Sequence, residues 1–400
     1  MYLTRVLLDG NLLLKARKHL DRQFTYAMRN IILRFRKVQN NKIFISTYDN
    51  NYTCNPSYIA DEIVRRNLDV DIVWVGPKKG IIKSFAKMPH SIRVVKRDTV
   101  EMYEEQASAR IWIDNALNCV WYGIPKKRNQ VYINTWHGSM GIKRLSGNRF
   151  WLKRAKKCKS YTDYCITNSK FEEDVFTETF WPGVEYLKYG HARNDILFKT
   201  EEFARITKKV KNELKIPQNR KVLLYAPTFR DNGDIHFFNI DYRRLKESLE
   251  KRFGGEWTIA IRMHFKNGFV SSRIKESEWL VNATAYEDMQ ELMVACDAGI
   301  TDYSSWAYDF ILTKKPLFLY VPDVANYDQA RGFYFNIEST PFLNAHNNDE
   351  LNEGVMAFDD GIYQQKIEEF LNDKGCYESG TAAKQTVDFI EKILSEGIEE

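Results

Sequence analysis

Nowhere in these 400 residues is there an uninterrupted apolar run of the roughly 18 or more that a membrane-crossing helix needs. The N-terminus also lacks the apolar core and small-residue cleavage site of a secretory signal. The chain is therefore expected neither to span a bilayer nor to leave the cell by the usual route. Cysteine is sparse and scattered: Cys54, Cys119, Cys158, Cys165, Cys296 and Cys376 form no CxxC pair and no close Cys/His cluster suited to structural zinc. They read as reduced thiols inside a cell. A Gly-rich phosphate loop of either common type is missing, and so are internal repeats and low-complexity tracts.

What is present fits an ordinary globular protein of two domains, since one core rarely organises much more than about 250 residues. Hydrophobic residues make up 44% and charged ones 28%, and 22 Tyr, 24 Phe and 9 Trp make the chain unusually aromatic. The net charge of +6 is modest, but it is unevenly placed. Arg5, Lys15, Arg17, Lys18, Arg22, Arg29, Arg34, Arg36 and Lys37 face only Asp9 and Asp21 within residues 1–40. Leu12, Leu13, Leu14, Leu20, Phe24, Met28, Ile31, Ile32, Leu33 and Phe35 lie between them at helical spacings. This basic amphipathic segment suits an anionic membrane surface, and suits equally a helix packed on the protein with its basic face in water. No nucleic-acid motif accompanies the charge, so nucleic acid is not expected as a partner.

From about residue 42 short apolar strands alternate with amphipathic helices, the mark of parallel α/β sheets. The pattern predicts strands at 43–46, 70–75, 111–114, 131–135 and 164–167 in a first half. After a Lys-rich helical stretch over 200–214 it predicts strands at 222–226, 257–261, 298–301 and 316–320. The expected division is 1–40, 41–198, 199–380 and a closing helix within 381–400. Two facing nucleotide-binding-like domains would place a site in the cleft between them.

Ligands of open α/β sheets bind beyond the carboxyl ends of strands, so polar residues just after an apolar run carry the functional reading. Thr135-Trp136-His137-Gly138-Ser139 is one such place, where His137 fits either a catalytic or a satisfied structural histidine. In the Arg193-Asn194-Asp195 stretch, Arg193 is placed either to clamp a phosphate or to pair with Asp195 in a turn. Pro227 and Thr228 end a further strand. Arg262 and His264 share one side of an extended segment. In Thr301-Asp302-Tyr303-Ser304-Ser305, a strand breaks into a helix start whose free N–H groups and hydroxyls suit phosphate, or simple capping.

Taken in order, these elements resemble the CDP-glycerol glycerophosphotransferases that build teichoic acids and related capsular polymers. The likeness runs through Asn55-Pro56, Tyr58-Ile59, Ile72-Val73-Trp74-Val75, Ile113-Asp114-Asn115-Ala116, Thr135-Trp136-His137-Gly138 and Asn168-Ser169. It continues through Arg193-Asn194-Asp195, Tyr225-Ala226-Pro227-Thr228-Phe229-Arg230-Asp231, Arg262-Met263-His264, Thr301 to Ser305 with Asp309, and Arg331-Gly332-Phe333-Tyr334. The resemblance implies a two-domain glycosyltransferase-B architecture, a peripheral enzyme on the cytoplasmic membrane face, and no cofactor or metal. It implies His137 as general base, with Thr135, Trp136, Gly138, Ser139, Arg193, Pro227, Thr228, Arg262, His264, Ser304, Ser305 and Asp309 serving CDP-glycerol. The implied acceptor is a lipid-diphosphate-linked saccharide or polymer. A CDP-ribitol donor, or a nucleotide-sugar glycosyltransferase on the same fold, are the alternatives. The family usually has Thr-Pro where Ser139-Met140 stands, and Pro where Ala192 and Phe265 stand, which bears on the donor polyol and the acceptor. Long-chain polymerases of the family often carry extra N-terminal segments, so the length fits a primase or single-addition enzyme as well as a polymerase.

Overall fold

The structure, a computed structural model, describes residues 26–79, 83–139, 141–145, 157–228, 239–263, 274 and 276–397. Residues 1–25 of the basic segment and His264 therefore lie outside the described residues.

Two parallel sheets organise the chain. The first contains β1 (Gln39–Ser46), β2 (Asp71–Gly76), β3 (Arg93–Lys96), β4 (Ala109–Asp114), β5 (Val131–Asn134), β6 (Tyr164–Ile166) and β7 (Glu185–Leu187), in the order β3-β2-β1-β4-β5-β6-β7. The second contains β8 (Lys221–Tyr225), β9 (Trp257–Ile261), β10 (Leu280–Asn282), β11 (Ala298–Thr301), β12 (Leu317–Tyr320) and β13 (Leu343–Ala345), in the order β10-β9-β8-β11-β12-β13. Both orders are doubly wound, with a switch point where the chain reverses direction across the sheet: between β1 and β4, and between β8 and β11.

The strands are apolar without alternation because helices cover both faces. Period-two geometry then sends successive residues to opposite layers. Phe44, Val73, Val75, Trp112 and Tyr132 pack into one layer. Ile43, Ile45, Ile72, Trp74, Ile111, Ile113 and Ile133 fill the other. Complete burial of each such side chain contributes about 1.5–3 kcal/mol.

Two helical segments from the ends of the described chain pack on the first half. The C-terminal helix Ala382–Ser395 returns to the first sheet, burying Ala382, Val387, Ile390 and Ile393 with Ile59 and Ile63 of the helix Cys54–Arg65. Its first two N–H groups are bound by Asp195, whose Oδ1 and Oδ2 accept from Ala382 and Ala383 at 2.8 Å each. Asp195 thus serves this helix start and leaves Arg193 to another carboxylate. At the other end of the chain, residues 26–34 are helical. Leu33 is buried in the first core, and Arg29 donates to the carbonyls of Tyr122 and Gly123. Met28, Ile31, Ile32 and Phe35 stay exposed, Phe35 at 83%. One face of this helix is packed on the protein while an apolar face looks outward.

Candidate active site

Between the two switch points lies a cleft of about 1040 Å³. Of the residues expected to act, His137 and Arg193 line it from the first half, and Pro227, Arg262, Ser304, Ser305 and Asp309 from the second. Thr135, Trp136, Gly138 and Ser139 do not line the cleft; they support the His137 turn from behind. Thr228 stands at the end of β8 beyond Pro227, and its N–H donates to Asp302 Oδ1 at 2.8 Å.

The His137 turn is strained and held. Trp136 has a φ of +51°, left-handed for a residue with a bulky side chain, at a cost of about 1–2 kcal/mol. Asn134 Oδ1 accepts the Trp136 N–H at 2.9 Å, while Asn55 Nδ2 donates to the carbonyls of Thr135 and Trp136 at 2.8 and 3.1 Å. The indole is clamped among Phe176, Phe180 and Trp181, with centroids 5.3, 5.3 and 5.7 Å away. The result is an imidazole presented at the cleft wall. Its Nδ1 lies 2.6 Å from the Asn115 carbonyl, which can only accept, so Nδ1 carries the proton and Nε2 the lone pair. Burial, reinforced by the positive groups Arg193 and His191 and opposed by the Asn115 carbonyl, pushes the His137 pKa down to about 4. At neutral pH the ring is uncharged.

Gly138 lets this turn approach the second half. A Cβ there would stand 3.1 Å from the Trp136 indole nitrogen and 3.9 Å from Ser305 Oγ. Directly beneath runs a buried polar network across the two halves. Arg193, 3% exposed, pairs with Asp309, 4% exposed, at 3.1 Å, and donates to the Gly138 carbonyl at 2.7 Å. Asp309 also accepts from the Ser139 hydroxyl and from Asn194 Nδ2, the latter at 2.8 Å. Asn194 donates in addition to Glu378, whose carboxyl burial pushes up to about 7. His191, Asp309 and Glu378 set potential ligand atoms within 4.8 Å of one another. The positive group seated on Asp309 is the Arg193 guanidinium. Sequence reasoning missed His191 and Glu378 as site residues; His191 stands two residues before Arg193 in the chain, whereas only the fold brings Glu378 to them.

On the opposite wall, the Ala226–Thr228 turn is fixed by Asp302 and by the Thr301 hydroxyl and Trp306 indole, which both donate to the Ala226 carbonyl at 2.8 Å. Ser304 and Ser305 precede a short helix, Trp306–Phe310, which Ser305 does not cap with its side chain. Arg262 continues β9, donating to the Met289 sulfur at 2.8 Å and the Glu287 carbonyl at 3.2 Å. Burial lowers its pKa, and it makes no ion pair among the described residues. A half-buried guanidinium held by neutral acceptors, with Asp288 near it and two serine hydroxyls lining the same cleft, has the donors that binding an anion requires. The 284–290 segment, which also lines this wall, carried no motif in the sequence.

Two doubly wound sheets whose switch points face one cleft define the glycosyltransferase-B class. Within it, the profile of the CDP-glycerol:poly(glycerophosphate) glycerophosphotransferase family matches residues 26–392, and the chain belongs to that family. It is 27% identical over 378 residues to a teichoic acid poly(glycerol phosphate) polymerase of Staphylococcus epidermidis, covering 88% of this chain and 51% of the relative. A teichoic acid ribitol-phosphate polymerase of Staphylococcus aureus is also 27% identical over 376 residues, covering 88% and 62%. The chain thus spans about half the length of the first of these relatives. A polymerase of the same description from Bacillus spizizenii is 28% identical over 407 residues, with 95% and 99% covered. Among solved structures, a variant of the wall teichoic acid polymerase TagF superimposes with a TM-score of 0.78 at 27% identity, covering 94% of this chain and 99% of that one. Another TagF variant was soaked with CDPG.

Proposed function

We propose that this chain transfers glycerol phosphate from CDP-glycerol to a hydroxyl of a lipid-linked saccharide or polymer, releasing CMP. The observation that carries the reading is His137: a neutral imidazole whose Nε2 has no hydrogen-bond partner among the described residues, on one wall of the cleft, with Arg262, Ser304 and Ser305 on the other. In this reading the acceptor hydroxyl attacks the phosphorus that bears glycerol while Nε2 takes its proton. The P–O bond to CMP breaks, and Arg262, Ser304 and Ser305, with Thr228 at the end of β8 and with the His264 that the family resemblance adds, stabilise the departing phosphate. A base with a pKa near 4 is fully deprotonated but weak. A bound, negatively charged diphosphate raises it electrostatically toward the working range.

Arg193 and Asp309 are engaged with each other. Their support for the donor is indirect, through holding the His137 turn against the Ser304–Ser305 turn. Residues 41–198 carry the acceptor side in this scheme and 199–380 the donor side. The outward apolar face of helix 26–34, with Arg34, Arg36 and Lys37 beside it, favours docking on an anionic cytoplasmic membrane face. No helix among the described residues is long and apolar enough to cross a membrane. The ribitol-phosphate relative favours CDP-ribitol as the second reading of the donor.

The test is incubation of purified protein with radiolabelled CDP-glycerol and a lipid-linked disaccharide. CMP release that exceeds a His137→Ala control is expected; equal release in both sinks the assignment of the base.

A further inference from the structure

The Ile113-Asp114-Asn115-Ala116 element has so far no part in the chemistry, yet it stands at the switch point of the first sheet, where β4 ends beside β1. Asn115 is 2% exposed and uses its two oxygens on two different groups of the cleft. Its backbone carbonyl receives the His137 Nδ1 proton at 2.6 Å, and its side-chain Oδ1 receives the backbone N–H of Tyr48 at 2.8 Å. The Tyr48 ring stacks on the His137 imidazole, with centroids 5.2 Å apart and planes 21° from parallel. Trp136 also packs on the imidazole, at 4.5 Å. One buried asparagine therefore sets both the tautomer of the imidazole and the ring that covers it.

The support beneath is rigid. The Asp114 carboxylate binds the N–H groups of Ala116 and Cys119 at 2.7 and 2.8 Å, and Asn118 Nδ2 ties the turn to the Thr47 carbonyl at 2.6 Å. Asn134 Nδ2, whose partner oxygen holds the Trp136 N–H, donates to the Ala116 carbonyl. The β1 turn, the β4 turn and the His137 turn are thus one hydrogen-bonded unit. Tyr48 differs from the rest of it in being 46% exposed, on the rim of the cleft.

We infer that Tyr48 and Asn115 are positioning residues for His137: Asn115 fixes the reactive tautomer, and the Tyr48 ring shields and orients the imidazole that meets the acceptor hydroxyl. The inference rests on His137 being the base. The charged groups that face this imidazole are Arg193 and His191 behind it, Asp49 on the Tyr48 loop, and Arg262, Asp288 and Asp309 across the cleft. Removing the Tyr48 ring takes none of these charges away, so a change in His137 titration on that substitution reports the shielding.

The experiment uses the full chain with CDP-glycerol and a lipid-linked disaccharide acceptor, comparing Tyr48→Ala, Tyr48→Phe, Asn115→Ala and His137→Ala. Tyr48→Ala is expected to lower kcat by about 10- to 100-fold, as loss of a near-attack geometry does, with little change in KM for CDP-glycerol. Admitting water to the ring should move the acid limb of the kcat/KM profile, which reports the free enzyme, upward from near pH 4 toward the ordinary histidine value of 6.5. Tyr48→Phe should restore both, because the stack needs the ring and not the hydroxyl. Asn115→Ala keeps the backbone carbonyl that sets the tautomer and removes only the Oδ1 that holds the Tyr48 N–H, so it is expected to act in the same direction as Tyr48→Ala through the stacked ring. Since Asn115 is buried and Tyr48 is not, the Tyr48 pair decides should Asn115→Ala fail to fold. A histidine NMR titration without substrates separates the two claims. Undiminished turnover in His137→Ala overturns the base, whereas an unmoved His137 titration in Tyr48→Ala overturns the positioning role even if turnover falls.

Discussion

The Arg193–Asp309 pair is where stability and site geometry depend on the same atoms, and its removal has a calculable cost. Truncation by Asp309→Ala takes away the 3.1 Å ion pair and the acceptor for Asn194 Nδ2 at 2.8 Å and for the Ser139 hydroxyl. Arg193, 3% exposed, is then left with no other ion pair among the described residues, and the Gly138 carbonyl at 2.7 Å is a neutral acceptor. Breaking one side of a buried pair costs about 3–5 kcal/mol, because the surviving charge is left without compensation. The double variant Arg193→Met with Asp309→Leu removes both charges and should recover much of that loss. For folding units of this size, 3–5 kcal/mol corresponds to a fall in Tm of roughly 6–20 °C. Calorimetry on Asp309→Ala gives the truncation cost, and calorimetry on the wild type, Arg193→Met, Asp309→Leu and the double variant completes the cycle. If Asp309→Ala alone loses less than about 1 kcal/mol, or if the double variant is as unstable as the sum of the singles, the pair is not the interdomain tie described here.

Other consequences follow from the same structure. Trp136→Ala should cost about 3–5 kcal/mol in urea unfolding, as truncation of a packed core aromatic does, and it should lower turnover with it; a variant of wild-type stability would show that the aromatic clamp does not hold the strained turn. Gly299→Ala would place a Cβ 2.6 Å from Leu317 Cδ1 and 2.9 Å from the Trp306 ring, so a loss of about 1–3 kcal/mol is expected by thermal melt, and none would contradict the packing between β11 and β12. Burial raises the Glu378 pKa to about 7 from 4.5, against the smaller opposing effects of His191 and Asn194. The folded state then binds the proton more tightly, so this group's contribution is full below pH 4.5 and is lost as pH rises toward 7. Urea midpoints measured at pH 5 and 7 should fall less steeply in Glu378→Gln than in the wild type, and an equal slope in both refutes the buried acid. Deleting residues 1–38 should weaken binding to anionic liposomes while a soluble acceptor analogue is still turned over; equal binding by both proteins removes the membrane role of this segment.

The nine strands expected from apolar runs all form, displaced by a few residues at most, because central strands covered on both faces must be continuously apolar. The four that the sequence pattern missed are β3, β7, β10 and β13, and each is an edge strand. Edge strands are short and half exposed: β3 reads Arg-Val-Val-Lys with only Val95 buried, and nothing in such a stretch distinguishes it from a loop. The site was legible wherever a polar residue follows a central strand, which accounts for His137, Arg262, Ser304 and Ser305. It was not legible where function depends on what a side chain meets across the cleft. The sequence offers Arg193 as a phosphate clamp or as a partner of Asp195; Asp195 is taken up by the C-terminal helix, and the carboxylate that Arg193 meets is Asp309, 116 residues later. Asn115 was part of a recognised element, but its two-way contact exists only once β1 and β4 lie side by side.

The central claim is that the cleft moves a polyol phosphate off a cytidine diphosphate, with His137 as the base. A panel of activated donors, scored by CMP release in the presence of a lipid-linked disaccharide and run in parallel on His137→Ala, tests it most directly. Release from CDP-glycerol, or from CDP-ribitol as the second reading, is expected to collapse in the variant while nucleotide binding persists. No CMP from any CDP-alcohol, or release that His137→Ala leaves intact, would contradict it.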